Sequence, residues 1–181
     1  MANSSEETQH AIPTVALIGE VLDHELKIGD RVARDGSKPI GAKSKGHNAF
    51  TAKLVILADS ESGSAAELFS RVMQLEMRAT VLGDKTAGAV MEAKHYSYKL
   101  GTDTVSYYGA SITDADIVMT DGKSLEHSGV TPDELVLPTA ADLAAGRDPV
   151  VVRAAELCGA TVTPETAGGF FPYEWPPLSS P

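Results

Sequence analysis

Apolar residues along this chain come in short runs separated by polar, glycine-rich stretches. "PTVALIG" (13–19) is apolar almost throughout and predicts a short buried strand. "LKIGDRVARDG" (26–36) predicts a strand ending in an Asp-Gly turn, and "SKPIGAKSKGHN" (37–48) a polar loop. "KLVILAD" (53–59) is a continuous, partly β-branched run. It predicts a central parallel strand covered on both faces. From Ser64 to about Met77 the period changes. Ala65, Leu68, Phe69, Val72 and Leu75 recur at three- and four-residue spacing, with Glu67, Arg71, Gln74 and Arg78 mostly elsewhere, as on an amphipathic helix. "ATVLG" (79–83) is another short strand, so the unit is strand, turn, helix, strand: a right-handed βαβ crossover. Residues 93–120 are β-rich. "TAADLAAG" and "PVVVRAAELCG" predict two helices, the second opened by Asp148-Pro149. Residues 1–10 read as a disordered lead-in, 11–181 as one domain, and the aromatics of "FFPYEWPP" as cover for a groove.

Composition narrows the partners. The chain has 181 residues, 43% of them hydrophobic, enough for one core. Its net charge of −10 repels phosphate backbones and anionic surfaces, which argues against nucleic acid. No run approaches the roughly 18 apolar residues of a membrane span, and "MANSSEETQH" has no signal-peptide pattern. The single cysteine, Cys158, excludes an internal disulfide; its apolar neighbours predict a buried thiol. No metal-ligand motif, P-loop or GxGxxG occurs, so no cofactor or metal is expected. The aspartates of "DADIVMTDG" (114–122) lack calcium-loop spacing and read as strand-edge and turn solvation. Asp133 reads as a turn-shaping residue after Pro132.

The candidate chemistry lies in "DSESGSAAELF". Ser64 follows a parallel strand and opens a helix, where free N–H groups and the helix dipole favour developing negative charge. Gly63, Ala65 and Ala66 leave room for a carbonyl, and the Ala65 amide could donate to an oxyanion. Local pattern alone favours a plainer reading, in which Ser60, Ser62 or Ser64 caps the helix. A nucleophilic hydroxyl also needs a base. The histidines at 10, 24, 47, 95 and 127 cannot be placed in space from sequence.

Three ordered blocks, "LVILADSESGSAAELF", "RATVLGDKTAGAV" and "DGKSLEHSGVTPDELVLPTAADLAAGRDPV", together resemble the C-terminal processing peptidases, or tail-specific proteases. The resemblance implies a ClpP/crotonase-like α/β fold, a mostly parallel sheet flanked by helices, incomplete at the N-terminus. By position, Ser64 matches the nucleophile, three residues before Glu67, and Ala65 the oxyanion amide. Where lysine-using members carry their base, this chain has Ala89, which accepts no proton; Lys85 and Lys94 have no motif support. "TAGAV" is closer to the branch of tricorn-like peptidases and retinoid-binding modules, whose peptidases draw a histidine from an upstream segment. In that frame Glu126 matches an orienting acid, while His127 is a base candidate that the resemblance does not support. The strand carrying Asp-x-Arg-x-Asn-x-Gly-Gly has no counterpart in the sequence.

The resemblance thus implies a serine peptidase domain acting on polypeptides, weak or inactive alone, from an exported parent (periplasmic or extracellular). The alternative is a non-catalytic module that keeps the fold and binds a peptide tail or apolar ligand. A third possibility is a homo-oligomer that covers an open sheet edge.

Overall fold

A computed structural model describes residues 13–101 and 104–171. The lead-in expected at 1–10 and most of "FFPYEWPP" lie outside them; Phe170 and Phe171 stand exposed. The elements run α1 (Pro13–Val21), β1 (Leu26–Ala33), β2 (Gly36–Ala42), β3 (Leu54–Ala58), α2 (Ala65–Leu75), β4 (Ala79–Gly83), β5 (Glu92–Leu100), β6 (Ser106–Met119), β7 (Glu134–Leu135), α3 (Ala140–Ala144), α4 (Pro149–Leu157) and α5 (Pro164–Gly168). They build two sheets among the described residues. One is parallel, in the order β3-β4-β7; the other is antiparallel, β2-β1-β6-β5. The parallel sheet flanked by helices is the architecture expected. The antiparallel sheet is larger than the β-rich 93–120 segment alone suggested, because β1 and β2 join it.

The first expected strand is instead α1. Short apolar runs do not distinguish helix from strand by pattern alone. Here Ile18, Val21 and Leu22 are buried, a spacing of three and four residues that becomes visible only beyond Gly19. Gly19 lets the helix touch the chain at Lys43: a Cβ would sit 2.1 Å from the Lys43 carbonyl oxygen. The polar loop at 37–48 is in part β2, which pairs with β1 in the register Asp30↔Pro39. Its glycines and proline disguised it, but an edge strand tolerates a proline that has no N–H to give. In the parallel sheet the middle position belongs to β4; among the described residues β3 pairs only with β4.

The amphipathic α2 is the hub. Its Leu68, Val72 and Met73 meet Ile18 and Leu22 near α1, Ile28 of β1, Ile117 and Met119 of β6, and Leu125 and Val130 beyond it. Leu54, Ile56 and Ala79 of the parallel sheet pack on the same cluster. Asp133 ties β7 down: its Oδ2 accepts the Val81 N–H at 2.8 Å and its Oδ1 accepts Gln74 Nε2 at 3.0 Å. The helices at 140–144 and 149–157 form as expected, the second with Asp148 as N-cap to the Val150 and Val151 amides. Cys158 is exposed, not buried, because it falls at the C-terminal cap of α4 where the chain turns out to solvent.

Candidate functional site

The turn between β3 and α2 is built by its own side chains. Asp59 Oδ1 accepts the N–H groups of Glu61 (3.0 Å) and Ser62 (2.8 Å), which folds the chain back just beyond the strand. Ser64 follows at φ 54°, ψ −117°, a conformation that L-residues avoid. Its N–H donates to the Ala89 carbonyl at 2.9 Å and to Glu67 Oε2 at 3.0 Å. Its hydroxyl lies toward the Glu67 N–H in the manner of a capping box, without making a cap hydrogen bond. Ser64 is exposed. The next amide, that of Ala65, donates no hydrogen bond among the described residues.

Glu67 was expected on the polar face of the helix; it is fully buried. The reason is its partners. Oε1 accepts Thr86 Oγ1 (2.5 Å) and Gly88 N–H (2.7 Å); Oε2 accepts Ala89 N–H (2.9 Å) and Ser64 N–H (3.0 Å). Four donors satisfy the carboxylate, which removes most of the cost of burying it. Thr86 Oγ1 in turn accepts the Val130 N–H at 2.6 Å, so one buried chain of bonds joins α2, the 84–91 loop and the segment before β7.

That loop is held at every amide from 86 to 91. Thr86 donates to the Val130 carbonyl and Ala87 to the Ser62 carbonyl. Gly88 and Ala89 donate to Glu67, and Val90 and Met91 to Glu126 Oε2 (2.8 and 3.0 Å). The two backbone N–H groups hold the Glu126 carboxyl below its ordinary value of 4.5. Gly88 (φ 73°) and Gly129 (φ 61°) let the loop and the 124–130 turn touch. A Cβ on Gly129 would lie 2.5 Å from the Thr86 carbonyl oxygen.

A cleft of about 310 Å³ opens over this platform, lined by Ser64, Ala65, Val90, Met91, Ala93 and His95 among others. Ser64 and Ala65 therefore share one open wall. Glu126 reaches the cleft indirectly, through the backbone of Val90 and Met91. His127 does not line it; its N–H donates to the Gly88 carbonyl at 2.8 Å and its side chain is exposed. His95, one of five histidines whose position the sequence alone does not fix, is the one that does line it among the described residues. The alternation of β5 turns Ala93 and His95 to the same side, a signal readable once the strand's start is known. Ala89 is exposed and offers no base, and among the described residues no cluster of three His, Cys, Asp or Glu could hold a metal ion. No described helix is long and apolar enough to cross a membrane.

The fold resembles several solved structures. A candidate peptidase from Parabacteroides merdae ATCC 43184 matches with a TM-score of 0.63 and 22% identity, over 81% of this chain and 47% of that one. Mature CPAF in complex with lactacystin matches with a TM-score of 0.59 and 16% identity, over 73% of this chain and 38% of that one. The photosystem II D1 C-terminal processing protease matches with a TM-score of 0.54 and 20% identity, over 69% and 31%. This chain spans less than half the length of each. The family model for peptidase family S41 matches residues 11–136, from the start of the described fold through β7, and the chain belongs to that family.

Proposed function

We propose that residues 11–181 form one serine peptidase domain acting on polypeptides by acyl transfer. Ser64 Oγ attacks the scissile carbonyl and gives its proton to solvent water, and the unengaged Ala65 N–H receives the oxyanion at the positive end of α2. The C–N bond breaks as the amine leaves protonated by water, and a second water hydrolyses the Ser64 ester. The observation that carries the reading is the geometry at Ser64. An exposed hydroxyl sits on a backbone of positive φ, beside a free amide, in an open cleft. Strained backbone of this kind concentrates where a reactive side chain must be presented. Glu67 and Glu126 act as positioning residues, fixing the 86–91 loop that forms the opposite wall. The activity of this chain alone is weak, since no lysine or histidine is hydrogen-bonded to Ser64 among the described residues and Ala89 stands where a lysine base would serve. The tricorn-like branch is the closer kin by the "TAGAV" turn.

A second reading, a binding module that keeps the fold without chemistry, is favoured by the same Ala89. Hydrolysis of an unstructured polypeptide, followed by mass spectrometry, separates the two. The enzyme reading expects slow cleavage that Ser64→Ala abolishes. It also expects Ala89→Lys to raise the rate by about 10²-fold or more, the scale of general base catalysis. Retained peptide binding with no Ser64-dependent cleavage in either protein selects the module.

A further inference from the structure

The β5–β6 hairpin carries an unusual pattern. Near the body, the buried positions of β6 are the odd ones, Ala115, Ile117 and Met119, and the even ones are Asp114, Asp116 and the half-buried Val118. Farther out the phase inverts. In the paired register Lys94↔Ile112, Tyr96↔Ala110, Tyr98↔Tyr108 and Leu100↔Ser106, the even positions form one face. That face holds three tyrosines, a leucine and an isoleucine. The opposite face holds Ser97, Lys99, Gly109 and Ser111, with His95 toward the cleft and Tyr107 the one aromatic. From Lys94 to Leu100 and from Ser106 to Asp114 every residue is exposed, so no described element covers the apolar face. A bare two-stranded arm of this kind is marginal on its own.

We propose that this face is the interface between two copies of the chain. Its size fits. Tyr96, Tyr98 and Tyr108 keep 38%, 53% and 59% of their surface, Leu100 and Ile112 69% and 54%. With a large side chain offering about 200 Å², these five supply about 500–600 Å² per copy, and Lys94, Ser106 and Ala110 extend the patch toward the roughly 800 Å² per partner of a stable interface. At its centre the Tyr98 and Tyr108 rings stack with centroids 5.5 Å apart. Its charge fits as well. In the four rows that form the face the one ionised side chain is Lys94, whose Nζ lies 5.9 Å from the Tyr96 ring centroid; at the inner edge Glu92 and Asp114 pair with Arg31. Stacking the arms antiparallel about the Tyr98–Tyr108 pair sets the two Lys94 roughly 27 Å apart, well beyond a Debye length of about 10 Å. The same arrangement sends the two bodies of net charge −10 to opposite ends. A membrane surface is less suited, because one cation on the face gives little attraction to anionic lipid.

Sedimentation equilibrium of the full chain, from about 1 to about 100 µM, tests this. The weight-average mass should climb from 19.0 kDa toward twice that value. Tyr98→Lys/Tyr108→Lys, and separately Leu100→Lys at the distal end, should hold it at 19.0 kDa with unchanged circular dichroism and with the melting temperature of the wild type at about 1 µM, where that too is monomeric. A wild-type chain that stays monomeric over the range, or a dimer that persists in both variants, overturns the proposal. So does retention of the monomer on phosphatidylcholine–phosphatidylglycerol vesicles that the variants lose, which would assign the face to lipid.

Discussion

Replacing Glu67 by glutamine keeps the shape of the side chain and changes its hydrogen-bonding chemistry. All four groups around the carboxylate donate: Thr86 Oγ1 and Gly88 N–H to one oxygen, Ala89 and Ser64 N–H to the other. An amide must turn its NH₂ toward one of these pairs. Facing Ala89 and Ser64, it orphans the Ala89 N–H, while the Ser64 N–H keeps the Ala89 carbonyl. Facing Gly88 and Thr86, it opposes one backbone donor and a hydroxyl whose oxygen already accepts the Val130 N–H. Each orphaned buried donor costs about 1–3 kcal/mol, and the remaining bonds lose their charge assistance. The predicted loss is about 2–4 kcal/mol, a large share of a typical stability of about 5–15 kcal/mol. For a chain of this size that lowers Tm by roughly 5–15 °C. Thermal and urea unfolding by circular dichroism would measure it, with an unchanged m-value showing that the unfolded state is the same. A Glu67→Gln protein melting within 2 °C or so of wild type would refute the claim that this carboxylate organises the site.

Other outcomes follow from the same geometry. Ser64→Gly should stabilise the fold. Relief of backbone strain worth about 1–3 kcal/mol exceeds the roughly 0.5–1 kcal/mol that glycine loses in the unfolded chain, so Tm rises a few degrees by calorimetry while any cleavage activity disappears. Gly129→Ala forces a Cβ to 2.5 Å from the Thr86 carbonyl oxygen, and should lower Tm and broaden the amide NMR signals of residues 86–91. Glu126 titrates below its ordinary 4.5 when folded, because the Val90 and Met91 amides favour its charged form. Its contribution is therefore complete above the unfolded value and is lost as pH falls through the lower folded one. The Val90 and Met91 amide resonances should titrate with a midpoint below 4.5, and Glu126→Gln should abolish that transition; a midpoint at or above it contradicts the assignment.

What the sequence made legible was local. Strand β3, the turn, α2 and β4 declare themselves through changes of period within a few residues, and Asp148-Pro149 marks its helix by capping chemistry. The three motif blocks marked the family. What escaped is long-range. Glu67 looks like a solvent-facing helix residue until Thr86, Gly88 and Ala89 are known to surround it, and nothing local to position 67 announces partners about twenty residues on. Glu126 resembles an orienting acid by position, yet the bonds it makes are to the backbone of Val90 and Met91. His95 enters the cleft by the parity of a strand whose register is set by β6, and the polar β2 is a strand because β1 offers it an edge.

Peptidase chemistry in this chain requires a reactive hydroxyl presented by strained backbone at the opening of α2. The most direct measurement is intact-protein and peptide mass spectrometry of the chain after exposure to a serine-directed fluorophosphonate. A single adduct on Ser64, absent from Ser64→Ala and strongly reduced in Glu67→Gln at a temperature where that variant is still folded, is the predicted result. Adducts spread over other serines, or a folded wild-type chain in which Ser64 stays unmodified, would contradict it.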